Sequence, residues 1–240
     1  VNGEPIVAAV GTVDAIGVAG TAGVAAAWGT LGVAPPGNGR TFRALFARTD
    51  STFRRLDPVS RVLVLAAEVA GLDRVLPLAA RDDTALVVET TLGCLDTDLR
   101  FARGLARGLV LGSIFPYTLP SAGLGELALR HRLRGPSLCL SISREEAGEA
   151  LREGARLLAA GEARYVLAGC VDVLAESRPT AAATCRAVVA LLARDDVGAV
   201  AVAPWTGAMA DPFARLLVAV PRVLPSTGVL IRDPGAGEAD

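Results

Sequence analysis

The sequence predicts an α/β layered fold, in which a mostly parallel sheet is packed by Ala-rich helices. Three observations lead there. Short Val-, Ala- and Leu-rich runs alternate with longer segments whose apolar residues recur every three or four positions, the order of βαβ units. The run 138–142 is flanked by turn residues and reads as a strand covered on both faces. The chain is 52% hydrophobic with only 4% aromatics, a balance that suits buried strands and Ala-rich helices and excludes a disordered segment.

Taken in order, residues 6–13 read as a buried strand entering a Gly-rich connection. Residues 34–40, with Pro35-Pro36-Gly37-Asn38-Gly39, read as a loop. A helix is expected over 58–70: Asp57 can cap it, Pro58 suits its first position and Gly71 closes it. Residues 85–89 are a short Val-rich strand, 95–105 a helix and 120–132 another. After the strand at 138–142, a long helix is expected over 144–160. Its apolar stripe is Ala147, Ala150, Leu151, Gly154 and Leu158, and its flank carries the i,i+3 pairs Glu149–Arg152 and Glu153–Arg156. A strand follows over 165–168. Beyond Asp172 the pattern loosens: 188–192 reads as a helix end, 197–203 as a strand, 213–223 as amphipathic or strand-like, and 233–240 as a flexible tail.

All 24 basic residues are arginine, and the net charge of −1 gives no electrostatic case for nucleic acid or an anionic membrane. Cys94, Cys139, Cys170 and Cys185 stand far apart and the chain holds one histidine, so metal-site spacing is missing. Isolated thiols point to the cytoplasm. The apolar stretch 6–28 contains Asp14 and is broken at Gly11, Gly17, Gly20 and Gly23, which favours strand and loop over a membrane span. The glycines at 17–23 lack the spacing of a dinucleotide site, and no cofactor is implied.

Two blocks carry a specific resemblance. Gly135-Pro136-Ser137-Leu138-Cys139-Leu140-Ser141-Ile142-Ser143-Arg144, followed by Gly161-Glu162-Ala163-Arg164-Tyr165-Val166-Leu167-Ala168-Gly169, resembles without a gap the nucleophile region of β-ketoacyl synthases. That family places a cysteine at the start of a long helix, and the position falls on Arg144. A guanidinium is permanently protonated and cannot attack a thioester. Leu56-Asp57-Pro58-Val59-Ser60-Arg61, Thr90-Thr91-Leu92-Gly93-Cys94-Leu95, Ile114-Phe115-Pro116-Tyr117-Thr118-Leu119-Pro120 and Leu133-Arg134-Gly135-Pro136 resemble further family segments in order. The resemblance implies the thiolase-like fold, N-terminal ketosynthase half only, over 1–175, with 176–232 a divergent completion of the same domain. The family's two catalytic histidines and lysine have no counterparts in this sequence: His131 is the one histidine, in an Arg130-His131-Arg132 cluster that reads as a solvated or capping helix end.

Small proteins of this kind resemble the chain-length-factor partners of type II polyketide and aryl-polyene systems, which lack the nucleophile and pair with a complete synthase. The expectation is a non-catalytic heterodimer partner of a full-length β-ketoacyl synthase, meeting an acyl carrier protein through the complex. By position, the resemblance assigns Leu138, Cys139, Leu140 and Ser141 to the partner interface. A strand apolar on both faces at a sheet end is an aggregation hazard unless paired, which agrees. It also assigns Leu92, Leu95, Leu99, Ala102 and Ile114 to the acyl-pocket lining, their bulk limiting chain extension.

Other readings stay open. Arg144 can pair with Glu145, Glu146 or a partner acid, hold a carrier phosphate or substrate carboxylate, or face solvent. Cys139 is the tempting substitute nucleophile of a stand-alone acyl-thioester hydrolase or acyltransferase, as are Ser141 and Ser143. Cys139 stands mid-strand, however, where no helix dipole lowers its pKa, and reads as a core cysteine. Arg43, Arg48, Arg54, Arg55 and Arg61 form a solvated face or a contact for an acidic carrier protein.

Overall fold

The computed structural model describes residues 5–32, 34–143, 146–174 and 184–194. Expectations for Arg144, for 197–203, for 213–223 and for the 233–240 tail fall outside them. The elements run β1 (Ile6–Val13), β2 (Gly17–Gly20), β3 (Ala25–Ala27), α1 (Trp28–Leu31), α2 (Gly39–Phe46), α3 (Pro58–Ala70), α4 (Leu72–Val75), β4 (Thr84–Thr90), α5 (Leu95–Ala106), α6 (Ala122–His131), β5 (Ser137–Ser141), α7 (Glu149–Ala160), β6 (Tyr165–Leu174) and β7 (Thr184–Ala193). The seven strands form one sheet in the order β3-β2-β1-β7-β6-β4-β5.

The α/β layering is as expected, but the sheet is mixed, not mostly parallel. Only β4 runs parallel to its neighbours β5 and β6; β7 is antiparallel to both β1 and β6, and β1–β2–β3 form antiparallel hairpins. The Gly-rich connection after β1 is therefore strand and turn. β7 also replaces the helix end expected at 188–192. Its Ala-Val-Val-Ala-Leu-Leu-Ala run is covered by α3 on one face and α7 on the other, so no alternation marks it as a strand.

Helix α3 forms from the signals the sequence carries. Asp57 accepts the Val59 and Ser60 N–H groups at 3.1 Å each, Pro58 occupies the first turn, and Gly71 ends the helix in the left-handed region. It lies on the sheet so closely that a Cβ at Gly11 would fall 1.8 Å from the Ala66 carbonyl oxygen, and one at Gly20 2.0 Å from that of Val69. Glycine at those two strand positions is what admits the helix. Phe42, Leu45, Phe53, Leu124 and Leu127 close over its outer side. Helix α2, which the Pro- and Gly-rich segment before it disguises, begins at an Asn38–Thr41 capping box. On the opposite face of the sheet, α7 packs Ala150, Leu151, Leu157 and Leu158 against β4, β6 and β7.

Candidate functional site

The site is built where β4 and β5 end beside β6, which runs on past them to Leu174. β5 is the last strand of the sheet, paired with β4 from Leu86↔Ser137 to Thr90↔Ser141. Leu138 and Leu140 lean toward the α7 side and Cys139 toward the α3 side, yet all three are only half-buried and Ser137 and Ser141 are exposed. The expected burial on both faces is thus corrected. Within the described residues nothing covers the outer side of this strand.

After β5 the chain continues through Ile142, whose N–H meets the Thr90 carbonyl at 3.1 Å, and Ser143, whose N–H meets Glu146 Oε2 at 3.0 Å. The helix expected from 144 starts instead at Glu149. Gly148 precedes it in the left-handed region, and residue 146 lies in a 3-10 turn. The cause is a side chain from another strand. Glu89, 2% exposed at the end of β4, accepts the Gly148 N–H at 2.9 Å and the Ala150 N–H at 2.7 Å. A carboxylate therefore sits on the positive end of the helix. Burial pushes the Glu89 carboxyl up, against the pull of those two N–H groups. Further along, Arg152 pairs with Glu149 at 2.7 Å and Arg156 with Glu153 at 2.8 Å, as the spacing requires.

A second carboxylate holds the other loop. Asp172 Oδ1 accepts from Thr90 Oγ1 at 2.9 Å, Thr91 N at 2.9 Å and Leu92 N at 2.8 Å. Neither Glu89 nor Asp172 is singled out by sequence reasoning. The available signal is an acid closing an otherwise small and apolar strand, in Val87-Val88-Glu89 and in Cys170-Val171-Asp172.

The expected pocket residues divide. Leu95, Leu99 and Ala102 share one face of α5, as read, but it is the outer face. The helix turns Asp96, Thr97 and Gly104 inward and leaves Leu95 37% exposed. Leu92 is half-buried in the turn before the helix. Ile114 alone of the five lines a cleft of about 620 Å³, which it shares with Arg54, Arg55, Asp57, Arg61, Arg100 and Tyr117. Arg61 is no simple solvated residue: its guanidinium reaches the carbonyl oxygens of Arg54 at 3.1 Å and Gly37 at 3.4 Å. Burial lowers its pKa and the charge of Arg100 adds to that, while Asp57 opposes it.

The four cysteines are free. Burial pushes Cys94, Cys170 and Cys185 up to about 12, and raises Cys139 as well, so none is poised as a thiolate. His131 is not solvated. It is 1% exposed at the end of α6, its Nδ1 3.1 Å from Asp73 Oδ1, while its carbonyl accepts from Arg81 at 3.0 Å. The burial that its arginine neighbours conceal follows from the helix register, which turns it toward α4. This arrangement does not favour thioester chemistry on Cys139. Among the described residues no helix is long and apolar enough to cross a membrane.

No family model matches the chain and no curated protein matches it. Solved structures do. The ishigamide ketosynthase/chain length factor matches with a TM-score of 0.62 at 18% identity, over 82% of this chain and 63% of that one. The fold is that of the ketosynthases. The AntDE:AntF complex, a type II PKS acyl-carrier protein with its ketosynthase bound to the hexaketide, matches with a TM-score of 0.57 at 15% identity, over 82% of this chain and 64% of that one. A β-ketoacyl synthase from Burkholderia phymatum STM815 gives 0.57 at 14% identity, over 83% and 62%. The chain thus spans less than two thirds of the length of these ketosynthase-fold structures.

Proposed function

We propose that this chain is a catalytically inactive, chain-length-factor-type subunit. It pairs with an active β-ketoacyl synthase and shapes that enzyme's acyl pocket in polyketide, aryl-polyene or fatty-acid-like biosynthesis. The observation that carries the reading is the start of α7. A nucleophile gains its low pKa and its oxyanion donors from the free N–H groups of a helix N-terminus. Here the helix begins at Glu149, beyond the family's nucleophile position at Arg144, and two of its leading N–H groups are already held by Glu89. Arginine at 144 adds no electron pair to offer.

Pairing is supported by what the chain leaves uncovered. β5 is a half-buried edge strand, and Leu105, Leu109, Val110, Phe115 and Leu119 are exposed along α5 and the segment after it, Val110 to 83%. Large apolar side chains in such a run mark an interface. The pocket role rests on Leu95, Leu99 and Ala102, which α5 presents outward to a partner, with Leu92 at its start and Ile114 in the cleft. The arginines of that cleft supply positive charge for an acidic carrier protein reached within the complex.

Co-expression with a full-length β-ketoacyl synthase tests this. The two chains should copurify, and L95W or L99W should shorten the products, since overpacking a filled site costs about 1–3 kcal/mol. A synthase that stays soluble and keeps its product length without this chain, or unchanged lengths in both variants, would sink the reading.

A further inference from the structure

We infer that Asp172 is the positioning residue for the turn that carries Leu92, and that it fixes from the neighbouring strand where the acyl-pocket wall begins. The second half of this inference rests on the chain-length-factor reading of Leu92; the first does not.

The parallel ladder between β4 and β6 runs from Thr84↔Tyr165 to Glu89↔Cys170 and then stops. β6 continues straight on, still paired with β7 through Val171↔Ala187 and Asp172↔Arg186, while β4 turns away toward α5. At that point the backbone N–H groups of 91 and 92 have left the ladder. The Asp172 side chain takes over as their acceptor. One oxygen, Oδ1, receives Thr91 N, Leu92 N and the Thr90 hydroxyl, all at 2.8–2.9 Å. The Thr90 Oγ1 accepts in turn from Gly93 N at 2.9 Å, and Gly93 adopts φ 56°, the left-handed step that redirects the chain. Residues 90–93 are thereby tied to one carboxylate, directly or through Thr90. The tie extends into the helix: Leu95 N donates to the Leu92 carbonyl at 3.3 Å, so the placement of Leu92 sets where α5 starts and where Leu95 and Leu99 stand.

Hydrogen bonds to an ionised acceptor are about twice as strong as neutral ones. In the full-length chain, D172A should speed amide exchange at Thr91 and Leu92 by about tenfold or more, while α3 amides such as Val64 stay as they were. D172N, which keeps an acceptor oxygen in the same place without the charge, should hold the increase to about two- to threefold. Unchanged exchange at Thr91 and Leu92 in D172A, or a rise spread equally over α3, overturns the inference. If D172A does not fold, the isosteric D172N decides alone: wild-type rates at both amides overturn it. Copurified with a ketosynthase, D172A should also broaden the product-length distribution. Faster local exchange with an unchanged distribution leaves Asp172 as the positioning residue and removes Leu92 and α5 from the pocket wall.

Discussion

Helices α3 and α5 are nearly equal in length, and the chain treats them in opposite ways. α3 carries its own cap in Asp57, its own stop in Gly71, and apolar residues all round that the chain buries completely. α5 follows Cys94 with no side-chain cap, turns Asp96 and Thr97 inward, and leaves Leu95 and Leu105 exposed and Leu99 half-buried. A helix finished by its own sequence belongs to the core of this chain. On the proposed function, one whose apolar face is left over belongs to a second chain. The sharpest way to break this contrast is to truncate a leucine on each. L63A, at a fully buried α3 position packed against α6, should cost about 2–5 kcal/mol in urea unfolding. L99A, on the outer face of α5, should cost well under half of that. Equal losses would show that α5 is covered within the chain after all.

The next contrast lies between two helix starts, one capped by its own neighbour and one from 59 positions away. Replacing Glu89 by Ala leaves the Gly148 and Ala150 N–H groups buried without an acceptor, and should cost about 1–3 kcal/mol. Its pH dependence has a definite sign. Burial raises the folded-state pKa of Glu89 above the unfolded value, so its proton-linked stabilisation is complete below the unfolded carboxylate range. That stabilisation is lost as pH rises through the folded value. The stability advantage of the wild type over E89Q should therefore shrink as pH climbs from 3 to 7. Asp73 is the counterexample within the same chain. The hydrogen bond from His131 holds its carboxyl low, so its contribution is present above the usual aspartate range and fades in acid, and D73N should remove that acid loss. An E89Q gap that widens with pH would mean that the two N–H groups outweigh burial.

The same contrast explains what was legible in the sequence. Every signal for α3 is local, so its span from Pro58 to Ala70 can be read residue by residue. β5 and its position at the end of the nucleophile block are legible from motif order. The start of α7 is not, because Glu89 stops the helix from across the sheet and local propensity knows nothing of it. β7 escapes for a related reason. Its Ala-Leu-Leu-Ala run carries neither alternation nor turn signals, and only its place between β1 and β6 makes it a strand. His131 was hidden by charged neighbours, Arg130 and Arg132, while the helix register turned it inward. Glu89 and Asp172 share this character: each is defined by a backbone it meets far along the chain.

The smallest expected change in the isolated chain concerns the end of α5 and the exposed segment after it, and there the smallness is itself informative. Leu105 and Leu109 are each more than half exposed, so L105S and L109S remove little buried area and should move the unfolding free energy by no more than about 0.5 kcal/mol. The same variants should weaken association with a ketosynthase, since apolar area that folding leaves in water is what pairing can still remove from it. Urea unfolding of the single chain reads the first quantity, and sedimentation of the copurified pair against that of the single chain reads the second. A variant that unfolds easily but associates normally would place these leucines with α3, inside the chain's own core. A variant neutral in both respects would leave β5, with Leu138 to Ser141, as the edge that must carry the contact alone.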